Sequence, residues 1–290
     1  MFNRLTVIGV GLIGGSLARA LRARGLVTEV IGCGRDLGNL QRGVELSVID
    51  RYTTDPAAAV AGADLVVVAT TLGATGEILQ RIAPSLHPEA LITDVGSTKQ
   101  SVVVAARAAL GAHFPRFVPG HPIAGGEKSG VAAALPDLFV NHRVILTPLP
   151  ETAVSALAKI HAMWEAVGAV VSTMDVAHHD EVLAATSHLP HMLAYALVDC
   201  LAAMSDSGAI FEYAAGGFRD FTRIASSSPD MWRDIALANR AALSAVCTRF
   251  QATFAQLQQA IATSDGAALQ DLFTRAKLAR DDYLARRNPR

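Results

Sequence analysis

The segment that most constrains the fold of this chain is a glycine-rich turn near its N-terminus, Gly9-Val10-Gly11-Leu12-Ile13-Gly14. The β-branched residues ahead of it predict a strand, and the apolar spacing after it predicts a helix. In such a unit the first glycine makes the tight turn, the second lets backbone approach a pyrophosphate, and the third lets the helix pack on the strand. The helix N-terminus also offers free N–H groups to phosphates. We therefore expect a dinucleotide to bind here, with contacts from Gly9, Gly11, Leu12, Ile13 and Gly14; the alternative is a tight turn without a ligand.

The rest of the first half alternates short apolar runs with helical stretches. Strands are predicted at Leu5–Gly9, Glu29–Gly32, Ala63–Ala69 and Leu91–Val95, and more weakly at Phe117–Pro119 and Arg143–Leu146. Strands that alternate with helices predict a doubly wound parallel sheet of the Rossmann type, covered on both faces.

The pattern changes near Pro148–Pro150, and no strand is predicted beyond that point. Helical periodicity covers residues 153–167, 176–204, 232–263 and 267–285. We therefore expect an α/β dinucleotide-binding domain over residues 1–150 and an all-helical domain over 151–290. Small residues are dense on the helices of the second half, which favours a homodimer formed through that domain.

Composition excludes several classes of partner. The 290 residues carry 25 Lys and Arg against 26 Asp and Glu, a net charge of -1, so no basic surplus indicates nucleic acid. No apolar run approaches the ~20 residues that a membrane helix needs. The three cysteines are too far apart for a disulfide framework or a zinc ribbon, which favours the cytoplasm. We expect a small-molecule substrate and neither a nucleic-acid nor a membrane partner.

The end of the second predicted strand bears on the choice of cofactor. NAD sites usually place an acidic residue there to bond the ribose 2′-OH. Here Gly34 occupies that position and Arg35 follows it, which suits a 2′-phosphate, although Asp36 lies close by. We therefore expect a preference for NADP over NAD, with Gly34, Arg35, Thr70 and Ser97 among the cofactor contacts.

Polar residues follow two later strands. Ser97 and Lys99 come after the strand at Leu91–Val95, and His121 comes after the one at Phe117–Pro119. In doubly wound sheets ligands bind at the carboxyl ends of strands, so we expect Ser97 and Lys99 to reach a reacting group. A histidine near a nicotinamide can accept a hydroxyl proton as hydride leaves the same carbon. The alternative for His121 is a loop histidine that caps a backbone carbonyl.

Two further groups lie in the second half. His188 and His191 are three residues apart and share a helix face, with Pro190 between them. No metal-ligating partner motif accompanies them, so we expect no metal site. Arg219 and Arg223 are candidates for a carboxylate clamp or, alternatively, for an exposed ion pair with Asp220. The run His178-His179-Asp180 is interpreted only as a polar helix start.

Taken in order, these motifs resemble the prephenate/arogenate (cyclohexadienyl) dehydrogenases of tyrosine biosynthesis along nearly the whole chain. The matching segments are GVGLIGGSLARAL from Gly9, DVGSTK from Asp94, HPIAGGEKSG from His121, SHLPH from Ser187 and GFRDFTRIASSSPDMW from Gly217.

The resemblance implies an oxidative decarboxylation and a role for each of seven residues. His121 would accept the substrate hydroxyl proton, and Ser97 would bond both His121 and that hydroxyl. Arg223 would hold the ring carboxylate. The side-chain end of the substrate would be lined by His191 and by Trp232, the latter from either subunit, and His188 and Glu127 would support or gate the site.

Two other functions remain open at this stage. One is a different two-domain hydroxyacid dehydrogenase or imine reductase, which would have no use for the groups at Ser187–His191 and Arg219–Arg223. The other is a dinucleotide sensor without turnover, in which His121 would be dispensable. The sequence does not distinguish prephenate from L-arogenate as the substrate.

Overall fold

The computed structural model describes residues 1–126 and 128–287. Its main sheet has six strands, all parallel, in the order β3-β2-β1-β4-β5-β6. The strands are β1 (Phe2–Ile8), β2 (Val27–Cys33), β3 (Arg51–Thr53), β4 (Leu65–Val68), β5 (Leu91–Asp94) and β6 (Phe117–Val118). The predicted doubly wound parallel sheet is confirmed.

Both faces of this sheet are buried, as the near-continuous apolar strands require. Side chains alternate along each strand, so Leu65 and Val67 of β4 enter one core and Val66 and Val68 enter the other. The first core is covered by helices α1 (Leu12–Ala23), α2 (Leu37–Glu45) and α6 (Val154–Ala166), and the second by α3 (Pro56–Val60), α4 (Leu72–Ile82) and α5 (Gln100–Ala109).

A second, three-stranded sheet was only partly predicted. It contains β7 (Gly120–Pro122), β8 (Arg143–Leu146) and β9 (Val170–Thr173), with β7 antiparallel and β9 parallel to β8. The expectation of no strand beyond Pro148–Pro150 is therefore wrong. Strand β9 is short and half-exposed, so its residues carry a weak apolar signal. The division into domains at residue 150 stays a prediction.

The remaining helices match the predicted helical stretches but are more broken. Their bounds are α7 (Val176–Leu183), α8 (Leu189–Ala202), α9 (Ser207–Glu212), α10 (Gly216–Thr222), α11 (Pro229–Ala238), α12 (Arg240–Ala262) and α13 (Gly266–Arg287). One π-helical turn at Ala184–His188 joins α7 to α8, and Pro190 lies at the start of α8. The hydroxyl of Ser228 caps α11 by accepting a hydrogen bond from the backbone N–H of Met231.

Residues 1–240 form one compact unit, and residues from 241 onward form another. The second unit comprises most of α12 and all of α13, separated at Ser264, which has a left-handed backbone. Large apolar side chains on its helices are more than half exposed, including Phe254, Ile261, Phe273 and Leu278. In the described part of the chain, no helix combines the length and apolar character needed to cross a bilayer.

The close approach of α1 to β1 depends on Gly14. A Cβ atom at this position would lie 2.5 Å from the carbonyl oxygen of Gly9 and 2.7 Å from the Cγ1 atom of Val7. We predict that Gly14→Ala lowers the free energy of unfolding by about 1–3 kcal/mol in urea titrations, because backbone must move to admit the methyl group.

The matched control is Gly76→Ala within α4, where the added Cβ would make an ordinary 3.6 Å contact with Ala105. That substitution should raise stability slightly, because alanine favours a helix interior over glycine by about 1 kcal/mol. Equal effects of the two substitutions would show that helix propensity, and not packing on β1, determines the result at Gly14.

Candidate active site

The carboxyl ends of four neighbouring strands gather the predicted functional residues at one edge of the main sheet. The glycine-rich turn follows β1, Thr70 follows β4, Ser97 follows β5, and His121 follows β6 by three residues. These strands are neighbours in the order β1-β4-β5-β6, so their carboxyl ends lie side by side. The edge is the ligand-binding position of doubly wound sheets.

The glycine-rich turn has the shape of a dinucleotide cradle. Gly9 has a φ of +99°, and a Cβ there would lie 2.3 Å from the carbonyl oxygen of Ala69. A Cβ at Gly11 would meet nothing within 4 Å, so the backbone of Gly11 faces open space. The hydroxyl of Thr70, next to Gly9, is buried without a partner among the described residues. These features fit a pyrophosphate on the backbone and a polar ligand atom at Thr70.

At the end of β2, the position where NAD sites usually carry an acidic residue is a glycine, Gly34. Gly34 has no side chain, and a Cβ there would make only ordinary contacts, 3.6 Å or longer, with Leu40. The Asp36 carboxylate caps α2 by accepting a hydrogen bond from the backbone N–H of Asn39. Arg35 is exposed beside them.

Behind the loop that follows β5 lies a buried ion pair between Lys99 and Asp94. The Lys99 ammonium, completely buried, donates to the Asp94 carboxylate and, over 2.7 Å, to the carbonyl oxygen of Gly120. The same carboxylate accepts from the backbone N–H groups of Gly96 and Gly120. The expectation that Lys99 reaches a reacting group is wrong, since its ammonium is used inside the protein to fix the chain just before His121.

His121 is buried, and its Nδ1 atom lies 2.9 Å from Nε2 of His179. Nδ1 of His179 lies 2.8 Å from the Asp180 carboxylate, which also accepts from the backbone N–H groups of Lys99 and Gln100. The contact with His179 occupies Nδ1 of His121 and leaves Nε2 for other partners, so the expected bond between Ser97 and His121 stays a prediction.

Burial and neighbouring charge keep His121 neutral. Burial, followed by the Lys99 charge and the nearby His179 and His188, holds the pKa of His121 well below its usual range. A neutral imidazole has a lone pair with which to accept a proton, as a general base requires. His121 is therefore in its base form at neutral pH.

His188 forms a second branch of the same buried network. Nδ1 of His188 lies 3.1 Å from the side-chain nitrogen of Asn239, which also donates to the carbonyl oxygen of Asp180. Burial lowers the pKa of His188 to about 4. Its Nε2 atom is buried with no side-chain partner in the described residues, and an interaction of the ring with the backbone of Ser97 partly offsets the lowered pKa.

Trp232 of the same chain stacks on His191. The two ring centroids are 3.7 Å apart with an interplanar angle of 22°, and the Trp232 ring also meets that of His188 edge to face. Within the described residues its indole N–H is buried and unpaired, which suits a polar ligand atom nearby.

Arg223 and Glu127 complete the predicted set. Arg223 is exposed at the end of α10, and its charge, after burial, helps to lower the pKa of His191. Nδ1 of His191 is itself bonded to the carbonyl oxygen of Ser187 over 2.8 Å. Glu127 lies outside the described residues. In the described ranges, no three His, Cys, Asp or Glu side chains converge as a metal site would require.

Sequence reasoning missed three residues of this network, namely His179, Asp180 and Asn239. The signal for His179 and Asp180 was the adjacency of a histidine and an acid at the start of α7, which was interpreted as a polar helix start. That interpretation is wrong for His179 and Asp180, because both are buried. Asn239 ends α11 and carried no local signal at all.

Two family models, both of prephenate dehydrogenase, match this chain. Residues 17–173 match the family model described as "Prephenate dehydrogenase, nucleotide-binding domain", and residues 175–275 match "Prephenate dehydrogenase, dimerization domain". A cyclohexadienyl dehydrogenase of Zymomonas mobilis is 39% identical over 97% of this chain and 96% of its own length.

Two solved structures are also similar over nearly the full length. Prephenate dehydrogenase from A. aeolicus, in complex with hydroxyphenyl propionate and NAD+, has a TM-score of 0.91 and 36% identity, and covers 98% of this chain and 99% of its own. Synechocystis arogenate dehydrogenase has a TM-score of 0.80 and 30% identity, and covers 97% of this chain and 99% of its own.

The buried ion pair should be essential for stability. We predict that Lys99→Met lowers the free energy of unfolding by about 3–5 kcal/mol, because it leaves the Asp94 carboxylate buried without its counter-charge. Urea titration followed by circular dichroism measures the change. The exposed Lys159 provides the matched control; Lys159→Met should have little effect, and an equally small effect of Lys99→Met would contradict this account.

Proposed function

The chain belongs to the prephenate dehydrogenase family, and we propose that it oxidises and decarboxylates prephenate, L-arogenate or both in tyrosine biosynthesis. Hydride passes from the substrate to a nicotinamide dinucleotide, which supplies the redox chemistry when bound. The main support for this proposal is the state and place of His121. Its imidazole is buried and neutral, and it lies at the edge of the sheet where the dinucleotide cradle also lies.

We assign His121 the role of general base. Removal of the hydroxyl proton by His121 makes hydride departure from the same carbon favourable. Loss of carbon dioxide then aromatises the ring, which makes the reaction effectively irreversible. Ser97, on the loop after β5, is proposed to bond both His121 and the substrate hydroxyl and to contact the cofactor.

The helical residues are proposed to bind the two ends of the substrate. Arg223 would hold the ring carboxylate, because a guanidinium pairs with a carboxylate through two parallel hydrogen bonds. The stacked His191 and Trp232 rings would line the side-chain end, and His188, which meets Trp232 edge to face, would support them. Glu127 is proposed as a gating group.

We further propose that NADP is preferred over NAD. The support is the absence of a side chain at Gly34, the exposed Arg35 beside it, and the use of Asp36 as a helix cap. An arginine without a competing carboxylate favours a 2′-phosphate.

A homodimer through the helical region is the proposed assembly. Its support is the match of residues 175–275 to a dimerization domain and the exposed apolar side chains of α12 and α13. A cytoplasmic location is proposed because Cys33, Cys200 and Cys247 are all free.

The proposed activity is tested with purified protein, prephenate or L-arogenate, and NADP or NAD. Reduced cofactor should appear together with carbon dioxide. We predict that His121→Asn lowers kcat about 10²–10⁴-fold with a modest change in KM, because it removes the base and not a binding group. The exposed His87 provides the control, and His87→Asn should keep the wild-type rate. Cofactor binding without turnover of either substrate would instead indicate a sensor.

Cofactor preference should respond to an acid at position 34. Gly34→Asp places a carboxylate where it can bond a ribose 2′-OH and repel a 2′-phosphate, and its Cβ atom would make only ordinary contacts with Leu40. We predict that kcat/KM falls about tenfold or more with NADP and rises with NAD, since charged hydrogen bonds contribute about 1.5–3 kcal/mol. Gly34→Ala adds volume without charge and should leave the preference unchanged. Higher efficiency of the wild-type protein with NAD than with NADP would overturn the assignment.

A further inference from the structure

The contact between His121 and His179 limits where protons can be. The two facing nitrogens, Nδ1 of His121 and Nε2 of His179, are 2.9 Å apart and buried. Only one proton fits between them, because one nitrogen must donate and the other must accept. The direction of this bond therefore decides which nitrogen of His121 has a lone pair left.

Asp180 determines that direction. Its carboxylate accepts hydrogen bonds from the backbone N–H groups of Lys99, at 2.7 Å, and Gln100, at 2.9 Å, so both oxygens are already acceptors. Burial alone would raise the pKa of Asp180, but its hydrogen bonds from His179 and these two amides lower it. An ionised carboxylate only accepts, so Nδ1 of His179, 2.8 Å away, must carry a proton.

The positions of the other ring protons of His179 and His121 follow from the proton on Nδ1 of His179. With a proton on Nδ1 facing Asp180, the imidazole form of His179 has its lone pair on Nε2, and that atom accepts the Nδ1 proton of His121. His121 is then left with its lone pair on Nε2. A reversal of this order would place a lone pair of His179 against the Asp180 carboxylate, which is repulsive.

We propose that His179, oriented by Asp180, is the positioning residue that fixes the tautomer of His121, so that Nε2 is the nitrogen that accepts the substrate proton. This inference rests on the proposed function for the identity of the base, but the tautomer itself does not. When the substrate proton bonds to Nε2, the Nδ1 proton of His121 stays in place and no other proton leaves the pair. The Lys99 charge disfavours the resulting His121 imidazolium. The negative charge of Asp180, on the far side of the His179 ring, offsets part of that effect.

Two substitutions separate positioning from simple packing. His179→Gln supplies an amide oxygen that can still accept from Nδ1 of His121, whereas His179→Leu fills the space without any acceptor. The exposed neighbour His178 gives a matched control, His178→Leu. We expect His179→Leu to lower kcat at least ~10-fold, within the 10²–10⁴-fold that a general base contributes, with little change in KM. His179→Gln should recover much of the loss, and His178→Leu should match the wild type.

The deciding readout is the 15N NMR spectrum of the imidazole nitrogens in the resting protein, in which His121 is identified by its loss in His121→Asn. The wild-type protein and His179→Gln should show His121 protonated on Nδ1, and His179→Leu should show Nε2 protonated at least in part. Protonation of wild-type His121 on Nε2 would overturn the proposal even if His179→Leu failed to fold. An unchanged tautomer and rate in folded His179→Leu would overturn it as well. Full turnover by His121→Asn would instead remove His121 as the base and leave the tautomer result standing.

Discussion

The buried ion pair between Lys99 and Asp94 is the interaction on which the rest of the site depends. Charges removed from water are tolerated only when every donor and acceptor is matched, and here Asp94 accepts from Gly96, Lys99 and Gly120 while Lys99 also donates to the Gly120 carbonyl. The backbone N–H groups of Lys99 and Gln100, next along the chain, donate to the carboxylate of Asp180, which lies about 80 residues later in α7. One short loop therefore fixes both the strand that bears His121 and the helix that bears His179.

This arrangement also sets the electrostatics of the site. Burial and the Lys99 ammonium lower the pKa of His121, and burial lowers that of His188, so both rings are held neutral at neutral pH. A neutral ring is the form that a proton acceptor needs before reaction, while a cationic ring at His121 would oppose both proton transfer and hydride departure. Asn239 donates to the carbonyl oxygen of Asp180 and lies 3.1 Å from Nδ1 of His188, so it joins His188 to the same buried network.

Much of the fold could be predicted from sequence because its signals are local. The glycines of the turn and the apolar runs of β1, β4 and β5 each act within a few residues. Strand β9 was missed because its side chains are half-exposed and its pairing with β8 depends on distant backbone. The site was predicted less well for the same reason. Lys99 looked like a ligand contact, and His179 like a surface residue, because burial and long-range hydrogen bonds decide those roles and leave no periodic pattern.

The measurement that tests this account most directly is the pKa of the His121 imidazole in the free protein, obtained by NMR titration with His121→Asn used for assignment. Burial and the Lys99 charge predict a value well below 6.5, so the ring stays neutral as the pH falls through that value and gains a proton only in more acidic solution. A His121 that titrates at or above pH 6.5 would contradict the claim that the buried network prepares it as a neutral base.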